Sequence, residues 1–115
     1  MLQQAKAVPS QEANDGTLAL QIAARQGRLG ISMRLLTRPD AQPDHQSHDG
    51  RTALMLAANF GREECVAALL SAKADVNAMD IEGTTALAYA ARNGFGNIAN
   101  ALLDVRFVPF CFFFV

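Results

Sequence analysis

Apolar residues in the middle of the chain recur at helical spacing in two short blocks that a glycine separates. Thr52 is placed to cap a first helix that runs to about Asn59, because its hydroxyl can accept a bond from the free amides of the opening turn. Gly61 supplies the left-handed conformation that ends such a helix. A second helix is predicted over Glu63–Ser71. Its apolar face carries Cys65, Val66, Leu69 and Leu70.

This pattern repeats along the chain. The run DGRTALMLAANFGREECVAALL from Asp49 aligns with EGTTALAYAARNGFGNIANALL from Glu82, a shift of 33 residues. An earlier copy, DGTLALQIAARQGRLG, begins at Asp15 with an offset of 34, and its extra residue falls around Pro39. A period in this range is typical of a stacked array of helical pairs.

The first helix of each copy is rich in alanine, as at Ala53, Ala57 and Ala58. Such small side chains leave the helix thin, so neighbouring copies can approach closely. Between the helical pairs lie the polar segments AQPDHQSHDGR and ADVNAMDIEGT. Their turn-forming residues predict tight turns at the tips of extended fingers.

The motif G-x-T-A-L-x-x-A-A-x-x-G, followed by A-L-L and A-D-V-N-A, extends from Gly50 to Ala78 and resembles the ankyrin-repeat family. The resemblance implies an all-α solenoid of about three helix-turn-helix repeats with connecting β-hairpin fingers. Two departures stand out. Met55 and Ala88 replace the family's histidine that ties neighbouring repeats together, and Leu18 stands where the first capping threonine is expected.

Three segments follow from this register. We predict a polar leader at 1–13, an ankyrin-repeat domain at 14–104 with copies at about 14–47, 48–80 and 81–104, the last one truncated, and an apolar tail at 105–115. The tail is about half the ~20 residues that a membrane-spanning helix needs, and Pro109 interrupts it. It is open to three interpretations: a membrane or partner anchor, a cap over the third repeat, or the product of an alternative transcript end.

Composition narrows the function classes. Half of the residues are hydrophobic and 18% are charged, which indicates a folded chain. The net charge of −1 does not favour nucleic acid or an anionic membrane as a partner. Cys65 and Cys111 are too few and too far apart for a disulfide framework. Reduced cysteines are typical of proteins of the cytosol or the nucleus. We also expect the protein to be a monomer.

The sequence offers no catalytic, cofactor or metal site. One finger concentrates four potential metal ligands: Asp44, His45, His48 and Asp49. An exposed turn lacks the rigid frame and supporting shell that a metal site needs. The helical phase of Cys65 points it inward, away from any role as a nucleophile. Adjacent Glu63 and Glu64 form no spaced acid–base pair. We therefore predict a protein that is not an enzyme.

The resemblance implies a non-catalytic scaffold or adaptor that binds another protein on its concave surface, built from the finger tips and the ends of the first helices. The family's contact positions fall on Asn14, Asp15, Thr17, Arg25, Gln26, His48, Asp49, Arg51, Asn59, Phe60, Ile81, Glu82, Thr84, Arg92 and Asn93. Phe60 and the arginines are the expected anchors. The alternatives are a targeting or regulatory piece of a larger enzyme, such as a kinase or ubiquitin ligase, and a membrane-tethered scaffold.

Asn77 has both a structural and a functional interpretation. Asp75 and Asn77 can satisfy backbone groups in the bend that leads to the finger. Asn77 is also preceded by Leu69, Asp75 and Val76, a pattern that resembles the substrate motif of an oxygen-dependent asparaginyl hydroxylase acting on ankyrin repeats.

Overall fold

The computed structural model describes residues 18–104, all of whose regular structure is helical. The leader 1–13, three predicted contact residues (Asn14, Asp15 and Thr17) and the tail 105–115 lie outside the described residues. The helices are α1 (Ala19–Gln26), α2 (Leu29–Leu36), α3 (Ala53–Asn59), α4 (Glu63–Ser71), α5 (Ala86–Arg92) and α6 (residues 96–104). The predicted all-α class and the helix bounds of the second copy are confirmed.

Side-chain caps begin the helices α3 and α5. The Thr52 Oγ1 accepts a hydrogen bond from the Met55 amide at 3.2 Å, and the Thr85 Oγ1 accepts one from the Ala88 amide at 3.2 Å. Leu18 has no hydroxyl to offer at the equivalent position of α1. There the Gln21 Oε1 turns back and accepts a bond from the Leu18 amide at 2.7 Å. A side chain inside the helix thus replaces part of the missing cap.

The helical pairs stack in chain order. The inner helices α1, α3 and α5 contact one another in sequence, and the outer helix α2 packs against α4. The side chains of Ala24, Ala57 and Ala90 are fully buried between the inner helices. Small side chains at these positions let the helices approach closely, as the alanine pattern predicts.

The fingers are tight turns, and no residue between 18 and 104 forms a β-strand. The Ser47 amide donates to the Arg51 carbonyl at 3.0 Å, and the Asp80 amide donates to the Thr84 carbonyl at 3.0 Å. These turns are too short to develop the ladder of a β-hairpin, so the expected hairpins reduce to closed loops. The Ile81 amide donates to the Asp49 carbonyl at 3.0 Å and holds adjacent fingers in register.

Gln21 also supplies a tie between repeats. It occupies in α1 the position at which the later copies carry Met55 and Ala88. Its buried amide Nε2 donates to the Arg51 carbonyl at 2.7 Å and to the His45 carbonyl at 3.4 Å. The later copies lack the family's histidine, and in the first copy this glutamine forms a tie to the second copy that the repeat pattern did not predict.

Candidate functional site: the finger row and the helix-end row

Six of the predicted contact residues lie on the two fingers and form what we call the finger row: His48, Asp49, Arg51, Ile81, Glu82 and Thr84. Thr84 is half-buried and the other five are exposed. The bond between the Ile81 amide and the Asp49 carbonyl fixes the spacing of the two fingers. The fold therefore places the two fingers side by side.

The other six described contact residues lie at the far ends of the inner helices and form the helix-end row: Arg25, Gln26, Asn59, Phe60, Arg92 and Asn93. An inner helix of seven residues places about 10 Å between the two rows. The Asn93 Nδ2 donates to the Asn59 Oδ1 at 2.7 Å and to the Asn59 carbonyl at 3.0 Å. Both asparagines therefore join neighbouring repeats, in addition to lining the surface.

Each row includes an exposed apolar side chain. Phe60 in the helix-end row is 47% exposed, and Ile81 in the finger row is 73% exposed. Met79, on the same finger as Ile81, is 57% exposed and was not predicted as a contact residue. An exposed aromatic or large apolar side chain surrounded by polar residues is a suitable anchor for a protein interface.

Charges of both signs surround these apolar positions. Arg25 and Arg92 belong to the helix-end row, and Arg51, Asp49 and Glu82 belong to the finger row. The Arg92 guanidinium lies 4.9 Å from the centre of the Tyr89 ring, a distance at which a cation–π attraction fixes its position. The surface thus carries separate arginines among acidic residues rather than a uniform basic patch.

Asp80 on the second finger and Tyr89 in α5 form a buried polar pair. The Tyr89 hydroxyl donates to the Asp80 carboxylate, whose other oxygen, Oδ1, accepts from the Glu82 and Thr84 amides at 2.9 Å each. Burial raises the pKa of Asp80, but the bonds from Tyr89, Thr84 and Glu82 and the nearby positive charge of Arg51 outweigh it and leave the pKa below its ordinary value. Burial and the bond to Asp80 raise the pKa of Tyr89.

This pair was missed in the sequence analysis. Tyr89 occupies in α5 the position that Leu56 occupies in α3, and both side chains are buried. The tyrosine at an otherwise apolar position was the available signal, because a buried hydroxyl needs a hydrogen-bond partner. The carboxylate on the neighbouring finger meets that need.

Asn77 lies exposed on the bend after α4. The backbone N–H of Asn77 donates to the Asp75 Oδ1 at 2.9 Å, and the backbone N–H of Asp75 donates to the Asp44 Oδ1 at 2.7 Å. Asp75 therefore fulfils the structural role that the sequence predicts for the bend. The side chain of Asn77 remains accessible from solvent.

Within residues 18–104, no three His, Cys, Asp or Glu side chains are close enough together to hold a metal ion. Cys65 is buried, and its Sγ lies 3.9 Å from the Ser32 Oγ. It packs in the core, where a thiol behaves as a small apolar side chain.

Comparison with known families identifies the kind of repeat. A family model described as ankyrin repeats, in three copies, matches residues 2–80 and 20–108. Comparison of the sequence with curated proteins finds no significant match. None of the helices in the described part of the chain has the length and apolar character needed to cross a membrane.

Proposed function

Because the chain belongs to the ankyrin-repeat family, we propose that it is a non-catalytic scaffold or adaptor that binds a partner protein across the finger row and the helix-end row. Ankyrin repeats generally mediate protein–protein interaction. The observation that carries the proposal is the exposure of Phe60 and Ile81, one in each row, on an otherwise polar surface.

The chemistry of the two rows indicates the kind of partner. Phe60 and Ile81 favour a partner that has apolar side chains on the facing surface, because each of these two anchors loses contact with water on binding. Arg25, Arg51 and Arg92 call for acidic groups around them, because opposite charges at the rim speed association and fix orientation. The proposed partner is a protein with an apolar patch bordered by acidic residues.

A quantitative affinity capture tests the proposal. The bait is the full chain, compared with its Phe60→Ala and Ile81→Ala variants. Lys73→Ala serves as a control because Lys73 is exposed after the outer helix α4, outside both rows. We expect a defined set of proteins whose recovery falls with both row variants and is unchanged with Lys73→Ala. Proteins recovered equally with all four baits would argue against binding through these rows.

We propose the cytosol or the nucleus as the compartment and a monomer as the working form. The buried, reduced Cys65 is compatible with a reducing compartment. Fluorescence microscopy of a tagged full chain tests the first proposal, and sedimentation equilibrium tests the second. A secretory location or a stable dimer would contradict them.

We also propose Asn77 as a site of asparaginyl hydroxylation, supported by its exposed position on the bend. Incubation of the full chain with an ankyrin-directed hydroxylase and its co-substrates should add the mass of one oxygen atom, located by peptide mapping at Asn77. Asn97, which is exposed on α6, should stay unmodified. An oxygen found at Asn97, or no oxygen at all, would contradict the assignment.

A further inference from the structure

The outer helices α2 and α4 leave an open apolar groove of about 570 Å³ between them. Leu29, Met33 and Leu36 form its α2 wall, and Ala67 and Ala68 form much of its α4 wall. Because the two alanines are short, the larger side chains opposite remain uncovered. Met33 in particular is 51% exposed. The groove lies on the outer helices, away from the finger row and the helix-end row.

The corresponding groove between α4 and α6 has a different character. In the repeat register, Asn100 takes the place of Ala67, while Asn97 takes the place of Glu64, which borders the α2–α4 groove. The Asn97 Nδ2 faces the Glu63 Oε2 at 3.4 Å, so polar groups bridge the two helices there. Between α4 and α6, a polar side chain therefore stands where the α2–α4 groove has Ala67.

We propose that the apolar C-terminal segment Phe107–Val115 of this chain docks in the α2–α4 groove through its last seven residues. The segment holds five of the chain's seven phenylalanines and no charged residue. Burial of large apolar side chains away from water is favourable. The groove provides an uncovered apolar surface on the same molecule, and the proposal is independent of the proposed function.

The length of the chain allows this path. The outer helices α2, α4 and α6 run in the same direction. Asp104, the last described residue of α6, therefore lies at the end of the stack where Thr37 and Ala72 border the groove. Neighbouring packed helices lie about 8–10 Å apart, so the groove is roughly 12–15 Å from α6. About four extended residues cover that distance. The remaining seven can follow the groove along α2, whose eight residues span about 12 Å.

The native thiol of Cys111 allows a direct test in the full chain. Met33→Cys places a new thiol in the groove, Arg25→Cys places one in the helix-end row, and Ala91→Cys places one on the exposed end of the third repeat. Diamide then oxidises each variant, taking up the two hydrogens as the disulfide forms. Mass spectrometry of digested protein identifies the bond to Cys111, and a Cys111→Ser version of each variant gives the background.

We expect the bond to Cys111 to form at least tenfold faster in Met33→Cys than in Arg25→Cys, at a rate independent of protein concentration, since a docked segment has a high local concentration. Ala67→Cys on the opposite wall should behave like Met33→Cys and guards against a local effect on folding. Fastest reaction in Ala91→Cys would show a cap on the third repeat and overturn the proposal. Equal rates in all variants, or a disulfide only between two molecules, would overturn it as well.

Discussion

The phenyl ring of Phe95 lies over Gly61, so close that a Cβ on this glycine would stand 2.9 Å from the ring. The side chain of Arg62 lies over Gly27 in the same way, also at 2.9 Å. The residue that follows the helix-ending glycine in one copy thus covers the glycine of the preceding copy. Glycine is needed here both for its positive φ and for the close contact between repeats.

A left-handed conformation alone costs a side chain about 1 kcal/mol or more. Gly61→Ala should lower the free energy of unfolding by more than this, because the added Cβ also meets the Phe95 ring. Gly61 and Gly94 share this conformation, with φ of +75° and +76°. No described atom lies within 4 Å of a Cβ on Gly94, however, so Gly94→Ala tests the conformation without the contact. Urea denaturation followed by circular dichroism measures both.

Gly30→Ala completes this series as a control. Gly30 lies inside α2 and a Cβ there meets no described atom, so alanine should leave stability unchanged or raise it by about 0.5–1 kcal/mol. Equal losses for Gly61→Ala and Gly94→Ala would show that Phe95 adjusts without cost. No loss for either would contradict the assigned helix ends.

Gln21→Ala should reduce the free energy of unfolding by about 1–3 kcal/mol. The substitution leaves the Leu18 amide and the Arg51 carbonyl without their bonds to Gln21, and unsatisfied buried groups carry a penalty of that size. Gln26→Ala is the matched control on the same helix, because the Gln26 side chain is exposed and bonds only the Arg28 side chain among the described residues. Similar melting temperatures for the two variants would refute the proposed tie between repeats.

Tyr89→Phe should make stability less sensitive to acid. The pKa of Asp80 lies below its ordinary value of 3.8 in the folded protein, so its ionised form stabilises the fold above that pH. The stabilisation disappears as the pH falls through the folded pKa. Loss of the Tyr89 hydroxyl moves this pKa upward, so the free energy of unfolding should be lower at neutral pH and change less between about pH 5 and 3.

The exposed pair of Arg38 and Asp40 serves as the control for that measurement. Its Nε–Oδ1 distance is 3.0 Å, but both side chains are 46% exposed, and ion pairs in water contribute little to stability. Asp40→Asn should therefore leave the neutral-pH stability almost unchanged. If Tyr89→Phe retains the full acid response of the unmodified chain, the hydroxyl does not hold the pKa of Asp80 down.

Local signals made much of the fold predictable from the sequence. Thr52, Gly61 and the apolar spacing of Glu63–Ser71 act within one helical pair, and the structure has those helix limits. The repeat register also indicated which fingers and helix ends lie side by side. The bond from Ile81 to Asp49 joins the two neighbouring fingers, and the bonds from Asn93 to Asn59 join two neighbouring helix ends.

Contacts between copies were harder to predict because they depend on single departures from the repeat. Gln21 looks like a surface residue in its own helix, yet it is buried once the second repeat packs beside it. From the repeat pattern, Tyr89 occupies an apolar core position, and only the folded structure shows Asp80 beside it. The α2–α4 groove arises from the size difference between Met33 on one helix and Ala67 on the next, and periodicity alone does not reveal such a mismatch.

The most direct test of the central claim is the dissociation constant of a partner identified by affinity capture. Calorimetry measures it for the unmodified chain and for Phe60→Ala, Arg92→Ala and Lys73→Ala. Binding through the two rows predicts a loss of about 1–2 kcal/mol for each of the first two variants, or roughly 5- to 30-fold in affinity, with unchanged circular dichroism spectra. Lys73→Ala should bind like the unmodified chain. A larger loss for Lys73→Ala than for either of the others would contradict the assignment of the binding surface.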